Sequence, residues 1–193
     1  MAVTDEDLRP VPLSREQYDV LVAAGAFTDQ RVELLEGTVV AKVPQQPIHS
    51  NHVRRITQHL VRRLAEAHAW RYGVSNGLPL AADRWSEPEP DIAVTDVDAG
   101  TDDAHPTTAH LVVEVSRSSI RRDLEVKPRV YSGAGVPRYW VIDVATRKVV
   151  VHTEPVDGDP RTGRDAAYGT IRRLPLDAGL ELLGLTVRLS EIV

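Results

Sequence analysis

Hydrophobic residues recur along the chain at helical spacing in two places. Between Ser50 and about His68 they return every three or four positions, the repeat of one buried stripe on a long helix, and they are Val53, Ile56, Leu60, Val61 and Leu64. Earlier, Ser14 stands three positions before Gln17, as in a capping box, and the apolar run after them ends at Gly25. The pattern therefore predicts a short helix followed by a long one.

Short β-prone runs fill most of the remaining chain. Glu36-Gly37 separates VELL from TVVA, and KVVVHTEP follows YWVIDV after the residues ATR, so both pairs predict hairpins. YGVS and LPLAA are extended in character, PDIAV and LVVEV are typical of central strands, and TIRRLPL and LTVRLSEI of peripheral ones. This order predicts an α/β (α+β) fold with a mixed sheet.

LEVKPRVYSGAG predicts one further helix, closed by glycines. Pro128 should break or tighten its first turn, because proline lacks an amide donor and restrains the preceding Lys127.

Composition restricts the class of protein. With 193 residues, 42% of them hydrophobic, and no Pro/Gly/Ser-rich linker, residues 1–193 are expected to form one domain. No run is long and apolar enough for a membrane span, and MAVTDEDLRP is acidic, so a cytoplasmic protein without a membrane partner is expected. Because the chain has no cysteine, a metal would need oxygen or imidazole ligands, and oxygen ligands favour Mg²⁺ or Mn²⁺.

Two carboxylates stand in segments that otherwise predict a core. Alternation places Asp91 on one face of PDIAV with Ala93, and Glu114 on one face of LVVEV with Val112. A buried charge is costly unless it is paired, hydrogen-bonded or bound to a metal. Side by side, the two strands would bring both carboxylates within reach of one Mg²⁺, with the carbonyl of Val115 as candidate third ligand.

Lys127 follows the Glu114 strand and is the only lysine between Lys42 and Lys148. A lysine near a bound metal can position or activate the attacking water, and unlike arginine it can trade a proton when its environment shifts its pKa. The spacing leaves a plainer interpretation open: Asp91 in a turn, Glu114 facing solvent and Lys127 on an exposed helix surface.

Several further residues are candidates for contact with substrate. Arg54, Arg55 and Arg62 fall in the polar half of the long helix, where they could bind phosphates or form a solvated face. Tyr131 follows Lys127 by four positions and shares its helix face, so it should border the site. The three tryptophans, Trp70, Trp85 and Trp140, are predicted with Tyr139 to pack in the core or an interface.

Five stretches in order resemble one known family: VELLEG, PIHSNH, SEPEPDIAV, LVVEVSRSS and DLEVKPRVYSGAGVPRYWVIDV. They are similar to the Uma family of restriction-endonuclease-like proteins, a branch of the PD-(D/E)XK nuclease superfamily, collinearly from about Tyr18 to the C-terminus. The resemblance implies a restriction-endonuclease-like core, in which helices flank a mixed central sheet and the active site lies where two strands diverge.

The resemblance also implies roles for individual residues. Asp91 matches the aspartate of the PD motif and Glu114 the D/E position, both as metal ligands. Ser116 stands where the linear motif has its lysine, so Lys127 from the next helix would replace it. Glu33 matches an acidic residue that assists the metal shell, and His49 matches a recurrent histidine of the family.

The resulting hypothesis is an Mg²⁺- or Mn²⁺-dependent endonuclease that hydrolyses DNA. Its main alternative is a catalytically silent nucleic-acid-binding or interaction module on the same fold, which Ser116 and Pro128 would favour. A third possibility, hydrolysis of a small phosphate ester, predicts a closed pocket. A homodimer is expected because two DNA strands need two sites.

Overall fold

A central sheet with helices on both faces organises the protein. The computed structural model describes residues 10–42, 46–101, 103–116, 120–158, 165–190 and 192. The helices within these ranges are α1 (Arg15–Ala23), α2 (Pro47–Glu66), α3 (Ile120–Glu125) and α4 (Lys127–Gly133). The strands are β1 (Val32–Leu35), β2 (Thr38–Ala41), β3 (Tyr72–Ser75), β4 (Ile92–Asp96), β5 (Leu111–Ser116), β6 (Arg138–Asp143), β7 (Lys148–Val156), β8 (Ala167–Pro175), β9 (Leu180–Leu182) and β10 (Leu185–Val187). None of the described helices combines the length and the apolar character that crossing a bilayer would require.

Six strands form the central sheet in the order β3-β4-β5-β6-β7-β8. All neighbours are antiparallel except β5 and β6, which are parallel. A parallel pair needs a crossover connection, and α3 and α4 form it. The predicted mixed sheet is confirmed, and β1-β2 and β9-β10 are separate hairpins.

Local sequence signals fix the ends of the first elements. The Ser14 side chain accepts from the Gln17 amide and the Gln17 side chain accepts from the Ser14 amide, which completes the predicted capping box of α1. At the β1-β2 turn, Glu36 and Gly37 have φ of 49° and 77°. Positive φ at both central residues is the requirement of a tight hairpin turn, so the predicted hairpin is confirmed.

One face of the sheet packs against α2 through an apolar layer. The helix contributes the buried side chains of Val53, Ile56, Leu60 and Leu64, and β4 and β5 contribute Ile92, Val94, Leu111, Val113 and Val115. Val61 was expected in this stripe, but 48% of it is exposed. The prediction was wrong because the residue after Leu60 is rotated by about 100° around the helix axis, away from the sheet.

The opposite face packs against α4 and contains most of the buried aromatic side chains. Tyr139 and Trp140 on β6 are fully buried, as predicted, although Trp140 points to the α2 side. Trp70 and Trp85 are 68% and 39% exposed, so the core prediction was wrong for both. They lie outside the strands and helices, Trp70 with its ring 6.3 Å from that of His68, and Trp85 beneath the Arg84 guanidinium.

Pro128 breaks the helix that was predicted over LEVKPRVYSGAG. α3 ends at Glu125 and α4 begins at Lys127, with the proline in its first turn. This position tolerates proline because the missing amide would have no partner inside the helix. The break turns Lys127 toward the sheet, where only 1% of its side chain is exposed.

Candidate functional site

Two neighbouring strands carry the predicted acidic pair. Asp91 directly precedes β4 and Glu114 lies within β5, and antiparallel pairing of Ile92 with Val113 sets the two acidic residues opposite each other. They share a face with Ala93 and Val112, as the alternation predicts. Asp91 is 7% and Glu114 4% exposed, so both carboxyl groups are buried.

Asp91 is held as a carboxylate by two donors. Its Oδ2 accepts from the Val115 amide at 2.8 Å and lies 3.0 Å from Nε2 of His49. Burial raises the pKa of Asp91, but the hydrogen bond and charge of His49, the Val115 amide and Lys127 together lower it below its ordinary value. His49, in the first turn of α2, therefore belongs to the site.

Glu114 has the opposite electrostatic balance. Lys127 Nζ donates to its Oε1 at 2.6 Å and the Tyr131 hydroxyl donates to the same oxygen at 3.0 Å. Burial nevertheless raises the pKa of Glu114 to about 8, with Asp91 and other nearby carboxylates adding to the effect and Lys127 opposing it. Burial therefore favours the neutral, protonated carboxyl group of Glu114, and the positive charge of Lys127 does not fully offset this effect.

Lys127 connects two buried carboxylates. Besides its contact with Glu114, its Nζ lies 3.1 Å from Oε2 of Glu33. Burial alone would lower the pKa of Lys127, but Glu114, Glu33 and Asp123 outweigh it and raise the value, so the side chain remains an ammonium. Burial and Glu114 raise the pKa of Tyr131 well above its ordinary value, so its hydroxyl remains a donor.

Glu33 joins the β1-β2 hairpin to the site. Its side chain is fully buried, and its Oε2 accepts from the Glu89 amide at 3.2 Å as well as contacting Lys127. Its Oε1 lies 3.6 Å from Nε of Arg122, and neither of these buried atoms has a hydrogen-bond partner among the described residues. These contacts place Glu33 beside Lys127, where it balances the ammonium.

Lys42, directly after β2, is a site residue that sequence reasoning missed. Its Nζ donates to the Glu89 carbonyl at 2.7 Å. Burial and Lys127 lower its pKa, against the raising effect of Glu114 and other site carboxylates. One signal was present in the sequence: the chain has only three lysines, and Lys42 and Lys127 are two of them.

The acidic pair offers a partial shell for a divalent cation. Among the described residues, no group of three His, Asp or Glu side chains is arranged to hold a metal. Mg²⁺ usually takes one or two carboxylates and keeps several waters, so Asp91 and Glu114 fit this donor set. A bound cation would also offset the burial that raises the pKa of Glu114. The carbonyl of Val115 stays a predicted third ligand.

The predicted arginines are distributed unevenly around this site. Arg54, Arg55 and Arg62 are all exposed on α2, and Arg54 contacts Gln58 and Asn51 on the same helix. Arg54 and Arg55 follow His49 by less than two turns, whereas Arg62 lies about 20 Å further along the helix axis at 1.5 Å per residue. On the helical wheel each of the three lies more than about 100° from His49, so the described contacts do not bring these arginines to the acidic pair.

Comparison with known proteins gives two findings. The model of the Uma2 family, described as "Putative restriction endonuclease", matches residues 15–188. The fold is similar to that of "a putative nuclease belonging to DUF820" from Anabaena variabilis ATCC 29413, with a TM-score of 0.67 and 14% identity over 95% of this chain and 97% of that chain. No curated protein matches the chain. The likeness confirms the predicted fold, a mixed sheet flanked by helices.

Proposed function

The chain belongs to the Uma2 family, and from this premise we propose that it is a divalent-metal-dependent endonuclease that hydrolyses the phosphodiester bonds of DNA. The observation that carries the proposal is the convergence of Asp91, Glu114 and Lys127 in one buried cluster. Such a cluster of opposed charges costs desolvation energy, and perturbed buried groups of this kind concentrate at functional sites.

The position of Lys127 argues against the silent module. The linear motif is interrupted at Ser116, but Nζ of Lys127 reaches Glu114 from the next helix at 2.6 Å. Lys127 thus stands beside Glu114 in the way that a lysine two positions along the strand would. Pro128 supports this replacement, since the break that it produces turns Lys127 inward.

A small phosphate ester as substrate would need a closed pocket around the acidic pair. A cavity of about 310 Å³ lies beside α1, lined by residues that include Tyr18, Phe27 and Glu89. Asp91, Glu114 and Lys127 are absent from its lining, so it does not enclose the acidic pair. Arg54 and Arg55 are exposed on the same helix as His49, and we take them as candidate contacts for the phosphates of a long substrate strand.

The chemistry divides among the residues of the cluster. A divalent cation, held by Asp91 and Glu114, would supply an acidified water and offset charge on the phosphate. His49 and the Val115 amide keep Asp91 oriented and ionised. Lys127, whose pKa is raised, acts as a hydrogen-bond donor that orients water or the phosphate and not as a base. Glu33 and Tyr131 hold Lys127 and Glu114 in place.

The test is cleavage of supercoiled plasmid by the native chain, Asp91→Asn, Glu114→Gln and Lys127→Met, with Mg²⁺, Mn²⁺ or EDTA. Native cleavage should require a divalent cation, and each variant should lose roughly 100-fold or more. Asp96→Asn is the matched control, because Asp96 ends the same strand but pairs with Arg71 and His110 outside the cluster. Cleavage by the native chain in EDTA, or by Asp91→Asn at the native rate, would contradict the proposal.

Thermal unfolding of the same proteins supplies a readout that does not need turnover. A cation that binds only the folded chain raises the melting temperature in proportion to the logarithm of its concentration. The rise should be seen in the native chain and Asp96→Asn, and should be absent from Asp91→Asn and Glu114→Gln. No rise and no cleavage in the native chain would favour the silent module.

A further inference from the structure

The segment Glu89–Asp91 carries the Asp91 carboxylate into the site and is held along its backbone. The amide of Gly77 donates to the Pro90 carbonyl at 3.1 Å, and Nδ2 of Asn76 donates to the Asp91 carbonyl at 3.0 Å. Proline fixes its own φ and restricts the residue before it, so the segment is stiff. Whatever fixes Glu89 therefore also fixes the direction of Asp91.

Lys42 holds the remaining carbonyl of this segment. Its side chain is 10% exposed, and its Nζ, which donates to the Glu89 carbonyl at 2.7 Å, also lies 3.7 Å from the Glu89 carboxylate. The Lys42 amide donates to the Arg31 carbonyl at 2.9 Å, so the base of the side chain is anchored too. A charged donor makes a stronger hydrogen bond than a neutral one, and Lys42 is the charged donor among these backbone contacts.

The ammonium also lies in the field of the acidic cluster. Burial and Lys127 lower the pKa of Lys42 below its ordinary value, and the carboxylates of Glu114, Glu33 and Asp91 offset part of this effect. A second lysine so close to Lys127 is electrostatically unfavourable by itself. The hydrogen bond from Lys42 to the Glu89 carbonyl explains why a lysine stands here. Attraction to the acidic cluster alone does not explain it.

We propose that Lys42 is a positioning residue of the catalytic site, which sets the orientation of the Asp91 carboxylate by holding the Glu89 carbonyl. The kinetic consequence rests on the proposed function. The orientation of Asp91 is measurable without it, because the Val115 amide donates to Asp91 Oδ2 at 2.8 Å and reports on that carboxylate.

The experiment compares Lys42→Met and Lys42→Arg by ¹⁵N NMR and by plasmid cleavage. In Lys42→Met the Val115 amide resonance should move and its hydrogen exchange should accelerate, and kcat should fall on the order of tenfold to 100-fold with little change in KM. Lys42→Arg keeps a charged donor and should recover most of both signals. Lys148→Met is the matched control, because Lys148 is an exposed lysine of β7.

Several results would overturn the inference. An unchanged Val115 resonance in a folded Lys42→Met protein excludes a positioning role, and a rise in KM alone would show a substrate contact instead. If methionine unfolds the chain, Lys42→Gln repeats the test with a shorter neutral polar side chain. If the native chain cleaves nothing, the proposed function fails, while the Val115 resonance still decides the role of Lys42.

Discussion

The two faces of β5 differ sharply although one six-residue strand supplies both. Leu111, Val113 and Val115 pack beneath α2 in a layer of apolar side chains. Alternating with them, Glu114 points to the face where Lys127 and Tyr131 of α4 contact it. A single strand therefore borders an apolar core on one side and a charged cluster on the other.

The apolar face under α2 mainly stabilises the fold, whereas the face under α4 holds the charged side chains. Burial of each large apolar side chain under α2 stabilises the fold by about 1.5–3 kcal/mol. On the other face, the desolvation of buried charges offsets most of what their attraction contributes. The α2 face should therefore respond to changes of side-chain volume, and the α4 face to changes of charge, pH and cations.

The largest expected effect is that of Lys127→Met on the charged face. The substitution leaves Glu114 and Glu33 buried without the ammonium between them, and breaking a buried ion pair in this way costs about 3–5 kcal/mol. Urea denaturation at about pH 9, where Glu114 is ionised, measures it. Lys148→Met should change the free energy of unfolding by less than about 0.5 kcal/mol, and equal stability of the two variants would contradict the prediction.

Leu60→Ala tests the apolar face. Leu60 is fully buried in α2, and its truncation should lower the free energy of unfolding by about 3 kcal/mol at every pH tested. Val61→Ala is a control one residue away and should cost less than about 0.5 kcal/mol, because that side chain is half exposed. A native kcat in folded Leu60→Ala would support the contrast between the two faces of the sheet. A loss of unfolding free energy that depends strongly on pH would contradict it.

Glu114→Gln tests the pH dependence of stability, and its effect is the smallest of the three when it is measured over one pH unit. The pKa of Glu114 is raised from 4.5 to about 8 in the folded chain, so the folded state holds this proton more tightly than the unfolded state. The contribution is complete below the unfolded value and is lost as pH rises toward about 8. Between these values the native chain should lose stability relative to Glu114→Gln by about 1 kcal/mol per pH unit.

Melting temperatures measured across this range check the slope without added cation. Glu125→Gln is the control, because the Glu125 side chain is 60% exposed and forms an ion pair with Arg121 on the surface of the same helix. It should follow the native curve. A native chain that gains stability relative to Glu114→Gln as the pH rises would contradict the sign of the prediction.

Sequence periodicity predicted the elements whose signals are local. The capping box at Ser14, the turn at Glu36-Gly37, the apolar stripe of α2 and the faces of Asp91 and Glu114 all depend on residues a few positions apart. Pro128 also predicted the helix break, but the break alone did not give the direction of the Lys127 side chain.

Features that depend on distant contacts could not be predicted in this way. Lys42 holds a carbonyl 47 positions further along the chain, and no spacing rule connects two such residues. Glu33 illustrates the same limit: family resemblance indicated that it belongs to the site, but its contacts with Lys127 and the Glu89 amide depend on how the hairpin docks. Trp70 and Trp85 were misjudged because residue type indicates burial only on average.

The parallel pairing of β5 with β6 has a consequence for the time course of folding. Glu114 and Lys127 are only 13 positions apart, yet their contact lies within the connection that runs through α3 and α4 and joins β5 to its parallel neighbour β6. Pairings that close through such a connection form slowly, because the entropy of the loop is lost before the contacts are gained. The hairpins and α2 can form without this connection, so they should form earlier than the charged cluster around Glu114 and Lys127.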